Sequence, residues 1–426
     1  MKAEIKKINF KFYSLVVQFF FSNFARASAW LFFGTFAGGI LGYFFQILMG
    51  RMLTPSEYGL FGAIMALFAI FSAPLATLFM VVSRKVSEYL ADNDNGSISH
   101  FYYWIIIRST IFGMIILSIF LLFASHIQLN LKATSIIPVY LMGVLLLVTI
   151  MPIINNAFLQ GLQNFLWLSA SNTLWPLLKI IFSFSLVFLG FGLSGALAGT
   201  ILATIFCWTI SYCVLYRQLE TGRLKPFVAK HLTFKPAIPI FLANLAFTAM
   251  TQVDIVLVNY YFSATDTGLY AAASILGKAI MYLSGGVSMA LFPMVAELHT
   301  RKESSLILLF QAIGLTTLVC CIGAIFYYLF GEAIVVLFYG EEYRDAGIIL
   351  RYYGIAMLPA ALVMVVEHFL IAKGRVLFAY LFILILPLQL VAVYFNHETL
   401  LTVVTVVGGS SMLVMLLGFG LLFRLR

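Results

Sequence analysis

Charged residues are scarce in this chain. Only 10% of its 426 residues are charged, whereas about a quarter of a typical soluble domain is. Hydrophobic residues make up 63%, and the mean hydropathy is +1.05. This composition predicts a polytopic membrane protein. The net charge of +9 does not indicate a nucleic-acid partner, because no basic run is long enough or interleaved with enough aromatic residues.

Cysteines are few, and the sequence has no nucleotide-binding motif. The four cysteines lie inside apolar runs, and no CxxC or His-plus-Cys spacing accompanies them. We therefore predict ordinary helix packing for them, without a metal or a disulfide. The sequence contains no P-loop, so direct use of ATP is not expected, and no cofactor is predicted.

Long apolar runs are plentiful. A helix needs about 20 apolar residues to cross the hydrocarbon of a bilayer. Runs of that kind predict twelve membrane-spanning helices, at residues 29–50, 58–82, 101–124, 135–157, 169–191, 193–216, 236–262, 268–293, 305–330, 347–372, 376–395 and 398–423. The expected fold class is an all-α integral membrane protein.

Lysine and arginine then set the direction of the spans. If the N-terminus is cytoplasmic, 18 of the 25 lysines and arginines fall in cytoplasmic segments. Three fall in segments on the outer side, namely Arg51, Lys132 and Arg344. The other four lie within spans. Since positive charge collects on the cytoplasmic side, this bias predicts that both termini are cytoplasmic.

The chain divides into four predicted segments. Residues 1–28 read as a basic amphipathic segment at the membrane interface, retained rather than cleaved as a signal peptide. A six-helix bundle at 29–216, a cytoplasmic linker at 217–235 and a second six-helix bundle at 236–426 follow. None of the predicted loops is long enough to fold as a domain. This disfavours membrane glycosyltransferases and polysaccharide polymerases and favours a transporter.

The two bundles read as copies of one another. "LTPSEYGLFGA" at Leu53–Ala63 returns as "FSATDTGLYAA" at Phe262–Ala272, 209 residues later. Two further matches, at offsets of 213 and 211, occur in the same order. Because each half holds an even number of spans, the copies should run parallel, with a substrate site between them near mid-membrane. Each repeated stretch also resembles a helix-capping box, the second one weaker because Asp266 replaces a glutamate.

Four stretches carry a family resemblance: "GRMLTPSEYGLFGAIMAL", "TQVDIVLVNYYFSATDTGLYAAASILGKAI", "ALFPMVAEL" and "LFYGEEYRDAGIILRYYGIA". They resemble the polysaccharide-biosynthesis or O-antigen flippases (Wzx-like) of the multidrug/oligosaccharidyl-lipid/polysaccharide exporter superfamily. The resemblance covers the chain from about Ala29 onward. It implies a MATE-like fold of two six-helix bundles around a cavity that opens alternately to each side. It also implies an undecaprenyl-pyrophosphate-linked oligosaccharide as substrate.

Ionisable residues inside spans are costly and mark candidate functional positions. Lys179 and Lys278 lie near mid-membrane, and Arg108 lies about two turns from the cytoplasmic end of its span. We predict that these three cations bind the diphosphate, although Arg108 could instead reach the membrane surface. Asp254 and Glu367 are predicted to couple an ion or to tune the neighbouring charge. The alternatives are an Asp254–Lys278 pair and a local pairing of Glu367.

Amide side chains are the candidate sugar contacts. Gln46 in span one and Gln252 in span seven are available inside the membrane. Span one also has a small-residue face, formed by Gly34, Gly38, Gly42 and Gly50 with Gln46, which favours close helix contact.

The predicted function is a flippase that moves a lipid-linked oligosaccharide across a bacterial inner membrane, coupled to an ion gradient. Its expected partners are that lipid, the bilayer, and glycosyltransferases and a polysaccharide polymerase, and we expect a monomer. One alternative is a cation-coupled multidrug efflux transporter, which the basic residues in the spans disfavour. The other is a membrane enzyme that acts on lipid-linked sugars.

Overall fold

The computed structural model describes residues 23–219, 237–287, 305–373 and 378–424, together with Leu291, Met294 and Val295. Most of the predicted interfacial segment and nearly all of the predicted linker lie outside these residues. Within them, secondary structure is entirely helical, which confirms the all-α fold class.

Twelve α-helices occupy the described part of the chain, one for each predicted span. Their bounds are α1 Asn23–Met52, α2 Pro55–Ala91, α3 Asn95–Asn130, α4 Ile137–Gly161, α5 Phe165–Leu186, α6 Gly192–Tyr216, α7 Ile238–Tyr261, α8 Ala264–Leu283, α9 Leu306–Tyr339, α10 Ala346–Ala372, α11 Ala379–Phe395 and α12 Leu400–Arg424.

By length and hydropathy, nine stretches of the described residues could cross a membrane, and one of them contains both α5 and α6. Helix α11 is apolar but shorter than these stretches, and α8 is not hydrophobic enough to be counted among them. In α8, polar residues such as Thr265, Asp266 and Lys278 lower the hydropathy. Twelve crossings therefore remain a prediction.

Side-chain caps fix the starts of the repeated helices. At α2, the Thr54 hydroxyl accepts from the Glu57 backbone N–H, and the Glu57 carboxylate accepts from the Thr54 N–H at 3.2 Å. At α8, the Ser263 hydroxyl accepts from the Asp266 N–H at 3.1 Å, but the shorter Asp266 carboxylate binds the Ser263 hydroxyl instead of its N–H. The second capping box is incomplete, as its sequence predicts.

The helix contacts repeat between the two halves of the chain. In the first half, α1 packs on α5, α5 on α6, α2 on α4, and α4 on both α3 and α6. Adding six to each number gives contacts that the second half also makes: α7 on α11, α11 on α12, α8 on α10, and α10 on both α9 and α12. The two halves therefore share one internal arrangement, and the chain has the parallel-duplicated architecture that its sequence predicts.

The halves meet mainly through α2, which packs on α7 and α8. At the centre of this contact, the repeat-related Gly59 and Gly268 face each other. A Cβ added to Gly59 would lie 2.6 Å from the Gly268 nitrogen, and one added to Gly268 would lie 2.0 Å from the Pro55 carbonyl oxygen. Only glycine permits this approach of one backbone to the other.

The turns that follow α1, α3, α7 and α9 gather on the same side of the molecule, the side predicted to face outward. Arg51 at the end of α1 donates to the carbonyls of Leu337 and Phe338 at the end of α9. The repeat-related pair, α7 and α3, is joined in a similar way. Asn259 donates to the Leu131 carbonyl at 2.8 Å, and Lys132 donates to the Phe262 carbonyl at 3.0 Å. Cations and donors at these helix C-termini join the two halves on this side of the molecule.

Helix α1 breaks the symmetry between the halves. Gly34 and Gly38 pack against the backbone of Ser169 and Asn172 on α5, so α1 is firmly seated there. By the repeat, the counterpart of the extensive α2–α7 contact would be a contact between α8 and α1. Helices α1 and α8 make far less contact with each other. There the rings of Tyr43 and Tyr282 meet with centroids 6.5 Å apart. This weakly packed boundary is called the α1–α8 seam below.

Replacing Gly268 with valine should destabilise the protein, because the new side chain would overlap the Pro55 carbonyl. We expect a loss of about 1–3 kcal/mol, the usual cost of overpacking, seen as a lower thermal unfolding temperature in detergent. Gly409→Val is the matched control, since a Cβ there meets no atom within 4 Å. An unchanged unfolding temperature for Gly268→Val would contradict the close backbone contact.

Candidate substrate cavity

A cavity of about 440 Å³ lies between the two halves. It is walled by α1, α2 and α5 from the first half and by α7 and α8 from the second. Its α2 wall begins at Gly62, one turn further along the helix than the Gly59–Gly268 contact. The cavity therefore lies beyond this contact, on the side away from the turns that follow α1 and α7. Four predicted site residues line it, namely Gln46, Lys179, Gln252 and Lys278.

Lys179 is the cation contributed by the first half. Its side chain is only 5% exposed, and its Nζ lies 3.9 Å from the centroid of the Phe45 ring and 5.2 Å from that of Trp175. No carboxylate of the described residues lies within ion-pair distance. Aromatic faces attract a cation but do not neutralise it. Lys179 is therefore a cavity lysine without an anionic partner among the described residues.

Lys278 is the cation contributed by the second half, and it is 4% exposed. Its Nζ lies 3.4 Å from Asp254 Oδ1 and 3.4 Å from Gln252 Oε1. The Asp254–Lys278 pair, one of the two alternatives raised by the sequence, is thus formed. Asp254 itself is completely buried and does not line the cavity, so it lies behind the lysine.

Two tyrosines hold the Asp254 carboxylate. Tyr353 donates to Asp254 Oδ2 at 2.5 Å and Tyr270 donates to the same oxygen at 3.1 Å. The Tyr353 hydroxyl accepts in turn from Ser274 at 3.0 Å. A buried carboxylate needs such donors, because its desolvation is otherwise prohibitive.

The repeat shows that this polar cluster belongs to one half only. At the 209-residue offset of Gly59 and Gly268, Asp254 corresponds to Phe45, Tyr270 to Phe61, and Lys278 to Ala69. Phe45 and Phe61 touch through their rings, with centroids 6.1 Å apart. An apolar contact in the first half thus occupies the position of an ionic network in the second.

The two amides differ in their hydrogen bonding. Gln252 Oε1 accepts from Lys278. Gln46 lines the cavity wall, and its buried Oε1 has no hydrogen-bond partner among the described residues.

Two predicted site residues lie away from the cavity. Arg108 is exposed on α3, with its guanidinium 4.7 Å from the Trp104 ring centroid, and it does not line the cavity, so its role in a diphosphate site stays a prediction without support from this geometry. Glu367 is 7% exposed in the apolar interior of the second half and also does not line the cavity. Among the described residues it forms no ion pair, so the local pairing raised by the sequence is not seen there.

Sequence reasoning missed the aromatic residues of the site. Phe45 and Trp175 surround Lys179, while Tyr270 and Tyr353 bind Asp254. Trp175 lies four residues before Lys179, one helical turn away, and this spacing could have identified it. Tyr353 lies 99 residues from Asp254, and no local pattern links them.

Comparison with known proteins identifies the family. The family model described as "Polysaccharide biosynthesis protein" matches residues 24–299, well over half of the chain. This chain belongs to the polysaccharide biosynthesis protein family. Among curated proteins, none matches the sequence significantly.

Solved structures share the fold of this family member. An inward-facing multidrug resistance transporter of the MATE family, in the MOP superfamily, has a TM-score of 0.78 at 16% identity, over 91% of this chain and 94% of its own. The lipid II flippase MurJ, in an inward closed conformation, has a TM-score of 0.72 at 15% identity, over 92% and 86%. A MOP superfamily transporter from Pyrococcus furiosus, described as having a binding pocket of reverse polarity, has a TM-score of 0.65 at 16% identity, over 96% and 97%. The predicted MATE-like fold is confirmed.

The buried ion pair makes a prediction for stability. Lys278→Met would leave the fully buried Asp254 without its cation, so we expect a loss of about 3–5 kcal/mol. Adding Asp254→Asn should recover most of this loss, because no charge is then left buried alone. Thermal unfolding of the purified variants measures both effects. If the double variant were as unstable as the single one, the two residues would not be coupled.

Proposed function

We propose that this membrane protein is a flippase for an undecaprenyl-diphosphate-linked oligosaccharide, which it moves from the cytoplasmic to the outer leaflet of a bacterial inner membrane. The observation that carries the proposal is the pair of buried lysines, one from each half, on the wall of one cavity. With Asp254 counted, this region holds two cations and one anion. A diphosphate needs cationic partners to enter a region of low dielectric.

The α1–α8 seam suits a substrate that is part lipid and part sugar. A polyprenyl tail is apolar and can stay in the bilayer, whereas its charged headgroup needs the cavity. Tyr43 and Tyr282 stand at the seam and also line the cavity. We propose that the headgroup passes between these two tyrosines while the tail remains among the lipids.

Asp254 supplies a means of coupling to an ion gradient. A bound diphosphate would compete with Asp254 for Lys278, so it would change the partners of a buried carboxylate. Two tyrosine hydroxyls would still hold the carboxyl group. We propose that this competition links substrate binding to a coupling ion at Asp254. The buried Glu367 is a second candidate for this coupling, since the described residues give it no cation.

The charge of the side chains that line the cavity bears on the alternative function, efflux of cationic drugs. A cationic drug would require carboxylates, yet the cavity lining contains two lysines and, among the described residues, no acidic side chain. We therefore favour an anionic substrate. In the cell, this proposal places the protein, as a monomer with both termini cytoplasmic, between glycosyltransferases that build the lipid-linked glycan and a polymerase that uses it.

Loss of either lysine should abolish transport. We expect Lys179→Met to stop flipping of a lipid-linked oligosaccharide in liposomes, with normal amounts of folded protein, because Lys179 has no buried anionic partner to disrupt. Lys278 is tested as Lys278→Met with Asp254→Asn, which avoids a lone buried carboxylate. Arg108→Gln is the matched control, since it removes an intramembrane cation outside the cavity. Full flipping by the lysine variants would refute the cationic site.

Closing the seam should also stop transport. In a variant lacking the four native cysteines, Tyr43→Cys and Tyr282→Cys joined by a reducible bismaleimide should block flipping, and reduction should restore it. The control pair is Tyr261→Cys and His397→Cys, whose native rings stack within the second half with centroids 4.1 Å apart. Unimpaired flipping by the cross-linked seam pair would exclude this route.

A further inference from the structure

Lys278 is held loosely by the two groups that bind it. Its Nζ lies 3.4 Å from Asp254 Oδ1 and 3.4 Å from Gln252 Oε1. A charge-assisted bond between an ammonium group and a carboxylate is typically about 2.7–2.9 Å long. Both contacts are therefore at the long end of hydrogen-bond distance, although the lysine is buried. Neither partner binds this cation tightly.

The Asp254 carboxylate makes its shorter contacts with neutral hydroxyls. Tyr353 donates to Oδ2 at 2.5 Å, and Tyr270 donates to the same oxygen at 3.1 Å. Lys278 meets only the other oxygen, Oδ1. A carboxylate has about four acceptor positions, so it can keep both tyrosine donors whether or not the lysine is present. The hydroxyls and the cation do not compete for one position on Asp254.

Helix α8 fixes the direction of the Tyr353 hydroxyl. Ser274 donates to this hydroxyl at 3.0 Å, so the proton of Tyr353 is committed to Asp254. A Cβ added to Gly277 would lie 2.4 Å from Tyr353 Cδ1, so the ring packs directly on the α8 backbone beside Lys278. Tyr353 is also completely buried. Its hydroxyl is therefore already aimed at the carboxylate and need not turn when the lysine moves.

Movement of Lys278 toward an anion in the cavity would leave Asp254 dependent on these hydroxyls. The described residues give Asp254 three partners, namely Lys278, Tyr270 and Tyr353. A buried charge that loses a partner is strongly destabilised unless other hydrogen bonds remain. The two tyrosines supply those bonds. They thus reduce the free energy cost of separating the lysine from its carboxylate.

We infer that Tyr353 is a positioning residue of the anion site, which holds Asp254 while Lys278 transfers from this carboxylate to the diphosphate of the substrate. This inference rests on the proposed function. Tyr353 does not line the cavity, so it acts on the substrate through Asp254 and Lys278. Tyr270 assists it over a longer hydrogen bond. Affinity for an anion in the cavity therefore depends on a hydroxyl group that the anion does not touch.

Binding of two lipids to the purified full-length protein in detergent tests this role. The probes are undecaprenyl diphosphate and undecaprenol, which has the same tail without the charge. We expect Tyr353→Phe to weaken binding of the diphosphate lipid about tenfold, the lower end of what a hydrogen bond to a charged group contributes. Binding of undecaprenol should not change, because it does not need Lys278. Equal weakening of both lipids would indicate a general structural loss and overturn the inference.

Tyr327→Phe is the matched control. Tyr327 also donates to α8, at the Leu276 carbonyl over 2.9 Å, but Asp254 is not its acceptor. This variant should bind both lipids as the wild-type protein does. If it lost as much affinity for undecaprenyl diphosphate as Tyr353→Phe, the effect would belong to the packing of α8 and not to the carboxylate.

The effect of Tyr353 must also depend on Asp254. We expect Asp254→Asn to bind undecaprenyl diphosphate at least as tightly as the wild-type protein, because no carboxylate then competes for Lys278. Adding Tyr353→Phe to this variant should change the affinity no further, since the two residues act as a coupled pair. Weaker binding by Asp254→Asn, or a further loss in the double variant, would contradict the positioning role.

The outcomes separate this inference from the proposed function. Undiminished binding of undecaprenyl diphosphate by Lys179→Met, or equal binding of the two lipids by the wild-type protein, would overturn the proposed function and this inference with it. If Lys179→Met loses the preference for the diphosphate while Tyr353→Phe binds as the wild-type protein does, only the positioning role of Tyr353 is refuted.

Discussion

The contact of α2 with α7 and α8 is the constraint on which the rest of this structure depends. Two glycines at equivalent positions of a duplicated sequence let the backbones of α2 and α8 approach each other directly. This contact joins the halves at the ends of these helices and leaves a gap between the halves beyond it. Had either position carried a side chain, the halves would stand further apart, and Lys179 and Lys278 would not share a cavity of this size.

The two halves share one arrangement of helices but differ in the side chains at equivalent buried positions. The equivalent of Asp254 is Phe45, and the equivalent of Tyr270 is Phe61, so an aromatic contact in one half corresponds to a hydrogen-bonded carboxylate in the other. The first half shows that the scaffold does not need the ionic group. Phe45 also has a role in the cavity, because its ring supports Lys179. The same repeat position therefore serves a cation in both halves, once through an aromatic face and once through a carboxylate.

The two lysines are buried at different electrostatic cost. Lys278 is compensated by Asp254, whereas Lys179 has only aromatic faces and depends on the cavity for further stabilisation. An anionic headgroup would lower the energy of both, but most of all that of Lys179. This difference suits a transporter. A site whose lysines were both neutralised before binding would gain little from binding an anion. A site whose lysines both lacked a partner would release the bound anion slowly.

The sequence alone determined the all-helical fold, the helix positions and both helix caps, because hydropathy and capping act within a few residues along the chain. It also brought Lys278 and Asp254 to one level, where they pair. Only the tertiary structure decided which way each helix faces. For this reason Lys179 and Gln46 came to line one cavity, Arg108 turned outward to Trp104, Glu367 lay away from the cavity, and Tyr353 reached Asp254 from a distant helix. Rotation about a helix axis is set by packing against neighbours far away in the sequence, and an apolar stretch with little amphipathic pattern gives no signal of it.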